Sequence, residues 1–237
     1  MKDLLYHQRE SFHYVLGMCP TMESAQFMRS CMPNACVYDR YVPAKIEELV
    51  ALQQDLASKD KAKAVLVVLD DVLYDKSTLR SIAMRNIFFN GRHLKISLIG
   101  CSQYCVDLGP DLRSQTDYIC LLKENSLSNR LKLHRFFFGM IENFNDFTAL
   151  LDRCTQNYEA LILDNTLTSN AVNESIFWYR AARDLPNFRL GHSIFFELGD
   201  AMKRSAARGN AEAPIAPRGK PQLQVIKEDC DTQEDKD

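Results

Sequence analysis

The sequence has no phosphate cradle: neither G-x-x-x-x-G-K-[ST] nor G-x-G-x-x-G occurs in its 237 residues. No G-x-S-x-G elbow marks a serine nucleophile, and no Cys-His-Asn pattern can be assigned. The eight cysteines form no C-x-x-C pair and have no His partners at finger spacing, which argues against a structural zinc site. No apolar run approaches the ~20 residues that a membrane span requires, and the opening MKDLLYHQRESFHY is too polar for a secretory signal. Charge of one sign is missing too. Lys and Arg total 29 against 31 Asp and Glu, a formal charge of −2, so any nucleic-acid contact must come from a local patch rather than a basic coat.

What is present is ordinary. Apolar residues make up 46% and charged residues 25%, proportions that fit a soluble globular protein and exclude collagen, coiled-coil rods and wholesale disorder. The length suits one sizeable domain, or one domain with a tail. Cys101 and Cys120 lie inside apolar stretches, where a reduced thiol behaves as a small hydrophobe, so a reducing compartment is expected.

Short apolar runs alternate with helical patterns. Helices are expected at Lys2–Glu10, Ser24–Cys31, Ala44–Leu56, Arg130–Phe138, Asn145–Cys154 and Ser175–Ala182, the last carrying the lone Trp178. Ser77 or Thr78 is placed to cap a further helix reaching about Asn90, with Gly91 placed to end it. Strands are expected at Phe12–Met18, Ala35–Tyr38, Ala64–Asp71, Ile96–Cys101, Asp117–Leu122 and Ala160–Leu163. AVLVVLDD, 64–71, is apolar on both faces, as a strand buried in a parallel sheet must be, and Ile96–Cys101 and Asp117–Leu122 read as further buried runs. The alternation predicts an α/β fold with a mainly parallel sheet over 1–202. From Lys203 the chain turns to Ala, Pro, Gly and charged residues, which predicts a disordered tail over 203–237.

In an open parallel sheet, ligands bind outside the carboxyl ends of the strands. A greasy strand ending in Asp70-Asp71 delivers two carboxylates there. One is suited to Mg²⁺, usually through water, and its neighbour to polarising an attacking water, the Walker B arrangement; the plainer alternative is a buried strand followed by a solvated acidic turn. Gln103, just past the next strand, is placed to touch both a γ-phosphate and that water, or is simply a loop glutamine. Arg113 follows the Gly109-Pro110 turn and projects either toward a neighbouring subunit as an arginine finger or into solvent. Two basic groups, Arg80, Arg85, Arg92, His93 and Lys95, and Arg130, Lys132, His134 and Arg135, read as DNA-tracking faces or, in the simpler view, as solvated helix faces. Phe136-Phe137-Phe138 reads as core rather than as a base-stacking platform.

In order along the chain, LLYH, VLGMCPTMESAQFMRSCMPNACVYDRY, VLVVLDD, IAMRNIFFNGRHLKISLIGCSQY, DLRSQTDYICLLK and ALILDNT…ESIFWYRA resemble the genome-packaging ATPases of poxviruses and other large nucleocytoplasmic DNA viruses, within the FtsK–HerA group of P-loop motors. The resemblance runs over most of Met1 to Ala182. It implies a three-layer α/β/α P-loop NTPase core of RecA-like type, and an ATP-driven translocase working as a homo-oligomeric ring. That ring would pull double-stranded DNA into capsids, in contact with capsid or virion proteins, in the virion or the cytoplasmic viral factory. Carried over by position, Asp70 serves Mg²⁺, Asp71 acts as catalytic base, Gln103 as sensor and Arg113 as the trans-acting finger, with ATP and Mg²⁺ as cofactors.

The departure is at the front. In the family, the central strand and phosphate loop precede the segment that begins here at Met1, so the core is expected to be N-terminally incomplete. Five or six lost backbone hydrogen bonds at ~1 kcal/mol each, with several aliphatic side chains at ~1.5–3 kcal/mol each, come to on the order of 10 kcal/mol. That compares with the ~5–15 kcal/mol that holds a whole domain together. The expectation is marginal stability, strand edges left open within the sheet, and no ATP hydrolysis by these residues alone. The rival expectation is a catalytically dead relic that keeps an oligomer or DNA surface.

Overall fold

Residues 1–73, 76–103, 108–168 and 171–211 are described by the structure, a computed structural model. The central element is β3, Val65–Asp70, whose first five side chains are all buried. It is sandwiched between β1, Tyr14–Met18, and β4, Ile96–Cys101, and β1 also pairs with the two-residue β2, Val37–Tyr38. All three pairings are parallel, in the order β2-β1-β3-β4.

The two-residue alternation along the strands divides the sheet's faces. Val65, Val67 and Leu69 pack with Met18 against α3, Pro43–Ser58, through Ile46 and Val50. Ala83, Met84 and Ile87 of α5, Ile82–Asn90, complete that core. Leu66 and Val68 pack on the opposite face, with Leu5 of α1, Lys2–His7, and Ala25, Met28 and Cys31 of α2, Met22–Cys31. Each such side chain, fully buried, contributes about 1.5–3 kcal/mol. The α/β sandwich with a parallel sheet is thus present as expected.

The later strands form their own sheet. β5, Tyr118–Leu121, pairs antiparallel with β6, Glu159–Asp164, and β6 pairs antiparallel with β7, Ile176–Arg180. One face of this sheet buries Leu121, Leu161 and Leu163 against α7, Leu127–Phe137, and α8, Phe144–Cys154, through Leu133, Phe147 and Leu151.

Four sequence expectations need correction. Ser175–Ala182 is not a helix: a single turn, Val172–Ser175, gives way to β7, because β-branched and aromatic residues, IFWYR, find a partner strand in β6. The helix expected from Ser77 to Asn90 breaks in two, Lys76–Arg80 (α4) and α5, because the Ser81 side chain accepts from Met84 N–H and caps a fresh start. Gly91 ends α5 without entering the left-handed region (φ −54°). It is required by close approach, since a Cβ there would lie 2.4 Å from the Ile87 carbonyl oxygen and 2.8 Å from that of Ile96. Finally, β4 and β5 are not buried through their length: Ser97, Gly100, Tyr118 and Cys120 are exposed, and among the described residues each strand is paired on one side only.

The chain divides into two compact units, Met1–Asp200 and Ala201–Asp237. The last helix, Ser193–Ala211, runs through the boundary, so residues 203–211 of the expected tail are helical. The remainder, 212–237, lies outside the described residues.

Candidate functional site

Strand register builds the site. β3 and β4 are aligned residue for residue from Val65↔Ile96 to Asp70↔Cys101. Asp70 therefore closes β3 directly opposite Cys101, Asp71 is the next residue, and Gln103 comes two residues beyond Cys101, exposed. The Asp71 backbone N–H donates to the Cys101 carbonyl at 3.3 Å, extending the ladder by one bond past the strand.

Asp71 then turns the chain. Its φ of +53° lies in the left-handed region, which costs most side chains about 1–2 kcal/mol and which aspartate tolerates better than most. The two adjacent carboxylates consequently leave the strand from differently oriented backbone.

Asp70 lies on the sheet face that α1 and α2 cover, since its alternation partners Leu66 and Val68 pack there. Two thiols share its level. Cys101 sits across on β4; burial, then the carboxylate of Asp70, pushes its thiol up to about 12. Cys19 follows Met18, which pairs with Leu69; it is fully buried, and burial followed by Asp70 also raises it. Both thiols stay protonated and neutral at pH 7, so Asp70 has apolar-like neighbours rather than competing anions. The positive charge of the Met1 amino group opposes the rise of the Cys101 and Cys120 thiols. These relations were invisible in the sequence, where residues 19, 70 and 101 carry no spacing signal; only the register of three strands reveals them.

Among the described residues, no group of three or more His, Cys, Asp or Glu side chains could hold a metal ion by itself. A pair of strand-end carboxylates instead fits the donor set that Mg²⁺ takes when waters and phosphate oxygens supply its other positions.

Arg113, at the end of the short helix α6, Pro110–Arg113, is held within its own chain. Its guanidinium donates to the Leu108 carbonyl at 2.6 Å and stacks 4.4 Å over the Phe136 ring. The next turn of contacts is similar: Arg85 of α5 pairs with Asp111 at 2.7 Å, and Arg92 pairs with Asp117. Arg130 makes a two-pronged bridge to Asp152 at 2.5 and 2.9 Å. His134 bonds the Ile141 carbonyl oxygen at 2.6 Å, and Lys95 donates to the Ala62 carbonyl at 3.1 Å. Arg85, Arg92, Lys95, Arg130 and His134 of the two basic groups are thus engaged in contacts within the chain, which neither expectation described. Phe138 is fully buried and Phe137 packs on the same core, while Phe136 lies under Arg113.

Comparison with known proteins gives a consistent fold and no activity. No family model matches the chain. It is 25% identical over 181 residues to Uncharacterized protein 088R of Invertebrate iridescent virus 3, covering 76% of this chain and 69% of that protein. It is 27% identical over 193 residues to Uncharacterized protein L437 of Acanthamoeba polyphaga mimivirus, covering 76% and 67%. Among solved structures, it is similar to B204, the DNA-packaging ATPase from Sulfolobus Turreted Icosahedral Virus, with a TM-score of 0.51 and 15% identity over 77% of this chain and 92% of that one. At that identity the likeness is one of fold.

Proposed function

We propose that this chain is the greater part of a viral genome-packaging ATPase core, of the FtsK–HerA kind that its motifs resemble. The observation that carries the reading is the β3–β4 register, by which the Asp70-Asp71 pair and Gln103 leave from neighbouring strand ends. The likeness in fold to a viral DNA-packaging ATPase supports it.

In this reading, Asp70 holds Mg²⁺ through water and Asp71 accepts a proton from the attacking water. Gln103 orients that water and reports the γ-phosphate. Arg113 serves a neighbouring subunit in a homo-oligomeric ring, which requires it to leave Leu108 and Phe136. ATP is the nucleotide, double-stranded DNA the cargo, and capsid or virion proteins the anchor, in the virion or viral factory.

The 237 residues contain no G-x-x-x-x-G-K-[ST], and a strand-end acid pair cannot hold a triphosphate by itself. Turnover therefore depends on a phosphate cradle supplied by residues outside this sequence, and these residues alone are inactive. The absence of that motif also favours the second reading, a catalytically dead subunit that keeps an oligomer or DNA surface.

The test is DNA-stimulated ATP hydrolysis, measured on the 237 residues and on a chain extended by the coding sequence upstream of Met1. Hydrolysis only in the extended chain supports the motor. Stop codons immediately upstream, with no turnover in either form, support the inactive subunit. Robust turnover by the 237 residues alone would refute both.

A further inference from the structure

We infer that the junction where β6 begins and β7 ends is a stacking site for unpaired bases of a single-stranded nucleic acid. Two short segments build it. Residues 155–158 join α8 to β6, and residues 181–183 follow β7. Glu159 and Arg180 are register partners in the antiparallel pair, so the two segments leave the sheet at the same end. Between them lies a hollow of about 400 Å³, lined by Asn157, Arg180, Ala181, Ala182 and Arg183.

The first segment presents a ring. Asn157 and Tyr158 both take left-handed backbone, φ +52° and +65°, and the Glu159 N–H closes the turn on the Gln156 carbonyl at 3.0 Å. Asparagine adopts that region readily; a residue as bulky as tyrosine rarely does. Tyr158 is left 80% exposed, with the Arg183 guanidinium 5.3 Å from its ring centre. A second plane comes from β7, where the Arg180 guanidinium lies 5.1 Å over the ring of Trp178, itself 49% exposed. Glu159 accepts from Arg180 Nε at 2.8 Å, and its carboxyl is held below the usual range by Arg180 first and the Trp178 indole next. That buried acid holds Trp178 and Arg180 in place before any ligand arrives.

The ligand's chemistry follows from these planes. Every base has a π-face, and exposed aromatic rings take it up with little regard to sequence. Two rings, each carrying a guanidinium, make two platforms, which suits successive bases of a strand rather than a lone mononucleotide. A duplex offers no such faces, because its bases are stacked on one another. An acidic peptide would use the arginines and leave both rings idle. Phosphate donors are at hand: Arg183 makes no ion pair among the described residues. Arg180 gives Nε and Nη2 to Glu159 and keeps Nη1 without a hydrogen bond. Nothing here depends on ATP hydrolysis.

Trp178 is the only tryptophan of the 237 residues, so its fluorescence reports on the site directly. The probe is single-stranded oligothymidine of about 12 nucleotides, within the ~4–16 that one single-strand-binding fold covers. Titrated into the 237-residue chain, it should quench Trp178 in step with the rising anisotropy of a labelled strand. Tyr158→Ala should weaken binding at least about fivefold, the lower end of what one stacked base contributes, and Tyr158→Phe should restore it. Arg183→Ala should also weaken binding and flatten its dependence on salt. No binding at low salt would overturn the inference, as would binding that leaves Trp178 unquenched or that Tyr158→Ala does not weaken. Equal quenching by thymidine monophosphate or by the annealed duplex would overturn it too. Equal quenching by polyglutamate would assign the arginines to an acidic protein and overturn it in the same way.

Discussion

Tyr179 of β7 donates its hydroxyl to the carboxylate of Asp3 in α1, a bond between residues 176 apart in the chain. Asp3 is 4% exposed, and its other oxygen lies 3.4 Å from His7 Nε2 with no hydrogen bond of its own. Because Leu5 of the same helix packs under the parallel sheet, α1 is fastened to both sheets, by an apolar contact on one side and a polar one on the other.

Removing the phenol leaves a buried carboxylate without its donor. Tyr179→Phe is expected to destabilise by about 1–3 kcal/mol, measured by urea unfolding. Tyr179→Phe combined with Asp3→Asn should cost less than the two changes summed, since they share one bond.

Alkaline pH should act on the same bond. Burial first, then Asp3, pushes the Tyr179 phenol up to about 12, above the ~10 of an unfolded tyrosine. A raised pKa gives stability that is whole below pH ~10 and is lost as pH climbs toward 12. The unfolding midpoint of the native chain should fall across that window, and the fall should be shallower in Tyr179→Phe. Equal slopes would remove Tyr179 from the account.

Two of the tightly placed glycines, Gly91 and Gly17, should respond differently to alanine. At Gly91 a Cβ meets backbone oxygens that cannot step aside, so Gly91→Ala should cost about 1–3 kcal/mol. At Gly17 the nearest atoms are the sulfurs of Met28 and Met32, at 2.8 and 3.3 Å, on flexible side chains. Gly17→Ala should cost visibly less in the same thermal melt.

Arg113 offers a test of where its guanidinium acts. If its contacts to Leu108 and Phe136 are its main use, Arg113→Ala lowers the unfolding midpoint of the 237-residue chain. If it serves a neighbouring subunit, turnover by an extended, hydrolysing chain falls at least a hundredfold and the midpoint holds. In that same chain, Asp71→Asn should abolish turnover while sparing nucleotide binding; unchanged turnover would remove Asp71 as base.

Much of this was legible beforehand. β3 and its Asp70-Asp71 terminus could be read directly because a strand buried on both faces has few alternatives, and Ile46 and Val50 marked the core face of α3. The break at Ser81 was missed because a serine inside a helical pattern caps only if the backbone before it has already turned. β7 was missed because Ile176–Arg180 is defined by pairing with β6, a contact that local pattern does not encode. The levelling of Cys19, Asp70 and Cys101 was out of reach for the same reason: register is a relation between segments.

Gln53 fixes that register from the other end of the molecule. Fully buried on α3, its side-chain amide donates at 2.8 Å to the Lys63 carbonyl and at 2.7 Å to that of Leu94, each two residues ahead of β3 and β4 respectively. Both strands are therefore measured from a common origin, and their tips agree because they count the same number of steps. One residue inserted into either would turn every later side chain of that strand to the opposite side, so that the end of one strand would no longer stand level with the end of the other. Length, more than composition, is what such a molecule cannot afford to change there.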